Sequence, residues 1–373
     1  MREVHIDQMI VKMRKERGIT QEELADCMGV TKASVSKWET GLSYPDILML
    51  PRLASYFNIS IDELMNYTPQ LEKKEIAALY RSLTEKFAAL PFTEVKKECE
   101  EISRKYYSCF PLLLQMAILY LNHYPLAGSK EESLKMLEEI NVLCKRIIAE
   151  SGDKALAKDA EGVEAVSLLA MGKADEVLAL LGEEIRPSIH TEQILIAAMQ
   201  MKKNKDKAGY LSQVIIVNHL SEVLGVMSGY LQLYEEDEKR MEEIVRRTCG
   251  LIELFHLESI QSNAAACFYY TAAVSYMKQA KKDRALAMLE GYTRVCIQEI
   301  KNYTLHGDDF FDRIEEWFQE FDLGNQIPRS QEAINEDILA NFMKTKEFEP
   351  LKKEKRYLKM EAELKKQTGQ KKP

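Results

Sequence analysis

The chain has 373 residues, of which 46% are hydrophobic, and it carries a formal net charge of -8. That length predicts two or three domains, and with only 10 prolines and 16 glycines the composition excludes a largely disordered chain. Seven cysteines without a CxxC pair and the start MREVHIDQ, which has no apolar signal core, argue against a disulfide scaffold and a secretory leader; reduced thiols in a cytoplasm are expected.

The first helix is predicted over about Ile6 to Arg17, with Ile6, Met9, Ile10 and Met13 at helical spacing and Gly18 as its end. TQEELADCMGVTKASVSKWETG then encodes two short amphipathic helices. Thr20 and Glu23 form a capping box, and Leu24, Ala25 and Met28 share one face. Gly29 supplies the left-handed residue that closes this helix, and Thr31 caps the next. The apolar side of that second helix is Val35 and Trp38; its other side, Lys32, Ala33, Ser34 and Lys37, is small or basic. A helix held by its back, with short donors and cations in front, suits a DNA major groove. GLSYPD follows as a loop whose Ser43 and Tyr44 are placed to donate to phosphates. Pro51 belongs in the first turn of a fourth helix ending at Phe57, Asn58 breaks the chain, and Ser60 caps a short fifth helix to about Met65.

Residues 7 to 66, from MRKERGITQEELA through GVTKASVSKWETGLSYP to LASYFNISIDEL, resemble the Cro/C1 or XRE helix-turn-helix family of bacterial and phage repressors. The resemblance implies a five-helix, lambda-repressor-like DNA-binding domain over residues 1–67. It implies base-edge contacts by Lys32, Ala33, Ser34 and Lys37, with lysine favouring guanine and alanine a thymine methyl. Gln21 matches a position that holds a phosphate and braces the recognition helix, and Arg14 and Glu39 match an internal ion pair. The family reads palindromes as dimers, so double-stranded DNA and a second copy of the chain are the implied partners. Lys12, Arg14, Lys15 and Arg17 are further candidates for flanking contacts. The net charge of -8 does not oppose this, because phosphate attraction is screened over roughly 10 Å and only the charge facing the duplex counts. It favours a selective regulator over a DNA-coating protein.

A linker is expected over 68–72, around Thr68-Pro69, and then helix follows helix with no strand signal, giving an all-α chain. Helices are predicted over Leu71 to Ala89, Thr93 to Ser108, Pro111 to about His123 and Glu131 to Glu150. Two hairpins follow: Asp159 to Met171 turning at Gly172 into Asp175 to Leu181, and Ser262 to Gln279 turning at Ala280 into Ala285 to Val295. Both resemble degenerate tetratricopeptide repeats, which implies an α-solenoid over 73–305 for dimerisation or for sensing a peptide or small-molecule effector. Asn218, His219, Tyr230, Asn263 and Tyr270 are of the type that clamps a peptide backbone, but packing accounts for each equally well, so no site is assigned to them. Residues 306–373 are expected as a helical cap, with an aromatic stripe of Phe310, Phe311, Ile314, Trp317 and Phe321, and a basic tail. In that tail, from Lys344 to Lys372, eleven basic residues face five acidic ones, and Leu351, Tyr357, Leu358 and Leu364 permit an amphipathic helix.

The longest apolar run noted, Cys109 to Tyr120, falls short of the roughly 20 residues that span a bilayer, so no membrane association is expected. Six scattered histidines, no zinc spacing and no phosphate-binding glycine loop point to no catalytic residue, no metal and no cofactor. The function read from the sequence is a dimeric, sequence-specific transcriptional regulator. A helical-repeat scaffold that uses its helix-turn-helix only as an anchor is the alternative.

Overall fold

The computed structural model describes residues 5–65, 71–185, 191–300, 304–319, 321 and 329–367. The chain is all-helical. Its first five helices are α1 (Ile6–Glu16), α2 (Gln21–Met28), α3 (Lys32–Glu39), α4 (Met49–Phe57) and α5 (Ile61–Leu64). Local chemistry sets their ends. The Thr20 hydroxyl accepts from the Glu23 amide while the Glu23 carboxylate accepts from the Thr20 amide at 2.7 Å, a reciprocal cap. Gly29 takes φ +70°, Asn58 φ +55°, and Ser60 with Glu63 repeats the capping box at α5. Ile10, Leu24, Val35, Trp38, Leu53, Phe57 and Leu64 close a core belonging to these helices alone.

The body continues as α6 (Lys73–Ala89), α7 (Phe92–Lys105), α8 (Phe110–His123), α9 (Lys130–Glu150), α10 (Lys154–Ala170) and α11 (Ala174–Leu181). Next come α12 (Thr191–Met201), α13 (Lys205–Leu233), α14 (Glu238–Leu254), α15 (Leu257–Ile260), α16 (Ser262–Lys278) and α17 (Lys282–Val295). A π-helical turn over Cys296–Ile300, then α18 (Glu315–Gln319), α19 (Gln331–Lys344) and α20 (Lys355–Gln367) complete it. Each helix packs on its sequence neighbour, and α8 also packs on α6 and α10, as α13 does on α16. Alternate-helix packing of this kind stacks hairpins into tetratricopeptide-like layers, where each hairpin buries its apolar face against the next. Two large cores result, one spanning α6 to α10 and one spanning α13 to α20, with a small cluster of Ala165, Leu168 and Val177 at the end of the first.

Several expectations shift. Asp153 caps α10, which therefore begins five residues before the expected Asp159. Helices α12 to α14 were not marked by the sequence reading at all. Residues 304–314 do not extend a helix; the backbone folds back so tightly that a Cβ at Gly307 would sit 1.9 Å from the Phe311 carbonyl oxygen. The aromatic stripe is accordingly rearranged: Phe311, Ile314 and Phe318 are buried, whereas Phe310 is exposed and touches Phe255 edge-on. In the basic tail, α20 buries Tyr357, Met360 and Leu364, but Leu358 faces solvent. The Tyr357 hydroxyl donates to the Phe342 carbonyl at 2.6 Å, so this helix is docked on the body. Thr68 and Pro69 of the expected linker lie outside the described residues, and Glu72 already caps α6. Helix α13, not α8, is the one helix among the described residues long and apolar enough by length and composition to cross a membrane.

Candidate nucleic-acid interface

The core side chains Val35 and Trp38 pin α3 by one face, so its helical period decides what the other face offers. Lys32, Ala33 and Lys37 are exposed there. Lys32 lies 3.3 Å from Glu22, an exposed ion pair of the kind that contributes little and yields readily to a phosphate or base. Ser34 falls at the edge of this face; its hydroxyl lies 2.9 Å from that of Thr31 and is engaged in the α3 cap. Ser36, which the sequence reading passed over, lies between Ala33 and Lys37 on the helical wheel and shares their face. The signal was present in the period: Lys32, Ser36 and Thr40 form one row at i, i+4 spacing.

Behind α3 a polar clamp fixes its far end. Arg14 on α1 donates from Nε and from a terminal nitrogen to the two carboxylate oxygens of Glu39, the latter at 2.9 Å, and its other terminal nitrogen donates to the Ile19 carbonyl. Gln21 Nε2 donates to the same carboxylate at 2.9 Å. Burial opposes ionisation of Glu39, yet the hydrogen bonds from Arg14 and Gln21 outweigh it and hold the carboxyl below its ordinary range. With only 15% of its side chain exposed and its donors occupied, Arg14 is withdrawn from any flanking contact with DNA. Arg17 is drawn over the Tyr56 and Phe57 rings, while Lys12 and Lys15 stay exposed on α1.

The loop after α3 leaves Tyr44 exposed and Ser43 half-buried. The Leu42 and Ser43 amides donate back to the Lys37 carbonyl, which ties this loop to the end of α3. Tyr44 also borders a cleft of about 730 Å³ with His5, Pro45, Leu50 and Met65. The arrangement is two helices at a glycine turn, the second presenting cations and small side chains outward. A helix-turn-helix family model matches residues 10–64.

The amino-terminal unit is an XRE-type helix-turn-helix domain. The chain is 32% identical over 63 residues to the HTH-type transcriptional activator BcrR of Enterococcus faecalis, covering 17% of this chain and 31% of that protein. It is 33% identical over 57 residues to the SPbeta prophage-derived uncharacterized HTH-type transcriptional regulator YonR of Bacillus subtilis, covering 15% of this chain and 53% of that protein. The chain thus spans about a third and about half of the length of these two relatives, through the helix-turn-helix domain. Among solved structures, PlcR of Bacillus thuringiensis in complex with the peptide PapR7 and DNA aligns over 78% of this chain and 94% of that one, at 17% identity and a TM-score of 0.29. The apo form of ComR from S. thermophilus aligns over 78% and 92%, at 14% identity and a TM-score of 0.23. Likeness at those scores carries no structural argument.

Away from this domain, a cavity of about 330 Å³ lies where α8 meets α16, α17 and α19, lined by Asn122, Asn263, Tyr270, Arg329, Asp337 and Asn341 among others. Asn263 and Tyr270 thus come together. Asn218, His219 and Tyr230 do not join them; they lie exposed on α13. Among the described residues no group of three or more His, Cys, Asp or Glu side chains is placed to hold a metal ion.

Proposed function

We propose that this protein is a sequence-specific DNA-binding transcriptional regulator acting as a homodimer on a two-fold operator. One observation carries the reading: the outward face of α3, with Lys32, Ala33, Ser36 and Lys37, is held in a fixed attitude by Trp38 behind it and the Glu39 clamp at its end. Lys32 and Lys37 reach guanine edges, Ala33 packs on a thymine methyl, and Ser34 and Ser36 take shorter contacts. Ser43, Tyr44 and the exposed lysines of α1 hold phosphates and set the register, and Gln21 adds a phosphate contact where the duplex backbone passes α2. One eight-residue recognition helix covers only a few base pairs, so two copies spaced about one helical turn apart are needed for useful selectivity.

The helical body supplies pairing and a place for an effector. The cavity at α8, α16, α17 and α19 falls within the size range of ligand sites, and its amides and its Arg329–Asp337 ion pair suit a short peptide or a polar small molecule. The regulator works in the compartment that holds its DNA, the cytoplasm.

The test is selection of genomic DNA fragments by the purified full chain, beside the Lys32→Ala/Lys37→Ala variant. A recovered palindrome whose affinity falls roughly 10- to 1,000-fold in the variant supports the reading, at about 1–3 kcal/mol per base contact. Equal selectivity of the two proteins overturns the residue assignment. No enrichment by the wild type, with or without extracts containing an effector, leaves the scaffold reading in its place.

A further inference from the structure

Exposed apolar side chains gather on one helix of the body. α13 is buried on one side through Val217, Leu220, Leu224 and Leu231. A second row, Ile216, Val223, Val226, Tyr230 and Leu233, is 37%, 48%, 68%, 40% and 79% exposed. At 3.6 residues per turn the centres of the two rows lie roughly 120° apart, so packing within the chain consumes one and leaves the other. The exposed row follows the heptad spacing of a helix-pairing seam, with His219 at the remaining seam position, 3.2 Å from Glu222. Helix α12 packs on α13 after a tight turn, but its 11 residues reach only about 16 Å along it and leave the row beyond Ile216 bare.

The extent of this surface matters. Five such side chains expose on the order of 500 Å², near the upper end of what a monomer leaves uncovered. Ile194 and Leu195 on α12, 60% and 45% exposed, bring the apolar surface towards the roughly 800 Å² per partner that a standard interface buries.

We propose that this face of α13 is the surface on which a second copy of the chain docks. The inference rests on the regulator reading for its purpose and on the seam for its location. A second copy fits because the positions 216, 219, 223, 226, 230 and 233 have the same spacing read in either direction. A two-fold axis between Val223 and Val226 therefore sets every seam residue against another, the isologous arrangement of a closed dimer. A lipid surface fits less well. Four consecutive acids, Glu235 to Glu238, follow the helix and would be repelled by an anionic leaflet, and crossing a bilayer would strip the buried face of α13 from α16.

Sedimentation velocity of the full chain, with Val223→Glu and Val226→Glu beside it, tests the proposal. Both positions are exposed, so thermal unfolding followed by circular dichroism should match the wild type. The expected result is a wild-type dimer whose dissociation constant rises at least ~tenfold in each variant, with weaker binding to a palindrome and unchanged binding to a single half-site. Dimers that persist in both variants overturn it, as does a wild type that stays monomeric on a two-site operator. Flotation of the wild type, but not of Val226→Glu, with phosphatidylserine vesicles also overturns it and makes the face a membrane surface. The two readings fail separately: loss of DNA selection with dissociation of the Val226→Glu dimer leaves this inference standing without the regulator.

Discussion

At the scale of single residues, the Glu39 carboxylate decides how well α3 is held. It receives Arg14 and Gln21 at once, so removing either partner leaves a half-satisfied polar group against the core. Arg14→Ala is expected to cost about 2 kcal/mol, less than a fully buried pair would, read as a lower urea midpoint by Trp38 fluorescence with Trp317 replaced by Phe. Because the folded-state pKa of Glu39 is lowered, its contribution is fully present above the unfolded carboxyl pKa and is lost as pH falls through the folded one. Glu23 and Glu63 are lowered too, each by the backbone amide of its capping box, so the same direction holds for all three. Urea midpoints of the domain should stay level above about pH 5 and drop below it, and Glu39→Gln should be less stable at neutral pH with a shallower acid drop. These residue-scale features were largely legible in the sequence, because capping boxes and the glycine turn are local rules written in consecutive residues. The dual use of Glu39 was not, since it needs α1, α2 and α3 assembled.

At the scale of elements, two glycines separate backbone strain from collision. Gly29 holds φ +70° with open space where a Cβ would go, so Gly29→Ala should cost only the left-handed penalty, about 1 kcal/mol. Gly307 is blocked by the Phe311 carbonyl, so Gly307→Ala must shift backbone and should cost about 3 kcal/mol, seen by Trp317 fluorescence during urea unfolding. Sequence reading identified the first because a short helix pair announces its turn. It missed the second because residues 306–321 look like one amphipathic aromatic helix, and only the tertiary fold-back shows Phe318 taking a core place that Phe310 gives up. Helix α13 escaped for the opposite reason. Apolar residues stand on nearly all its sides, which blurs the 3.6-residue period that marks a surface helix. Its surplus of apolar surface is what the docking proposal explains.

At the scale of the molecule, the helix-turn-helix unit has a core of its own, closed by Ile10, Leu24, Val35, Leu53 and Leu64 without side chains from the body. A fragment of residues 1–67 should therefore unfold cooperatively by itself and bind a half-site, while binding a palindrome far more weakly than the full chain does. Chemical denaturation of the fragment and titration against one- and two-site duplexes would check both. The body, in contrast, is divided between two cores joined where Asn122 of α8 approaches Asn263, Arg329 and Asp337 around one cavity. All-helical character was legible along most of this length because hairpin turns and helix caps recur. The division was not, as it depends on which helices skip a neighbour when they stack.

The clamp on α3 limits how such a protein can be controlled. Two anchors at its far end and an aromatic wedge along its back leave the reading head one shape, the same with or without a signal. Whatever switches this molecule must then act like a hand on a pair of callipers, altering the gap between two rigid tips and never the tips themselves. Operators with altered spacing between half-sites should reveal the switched state more readily than operators with altered bases.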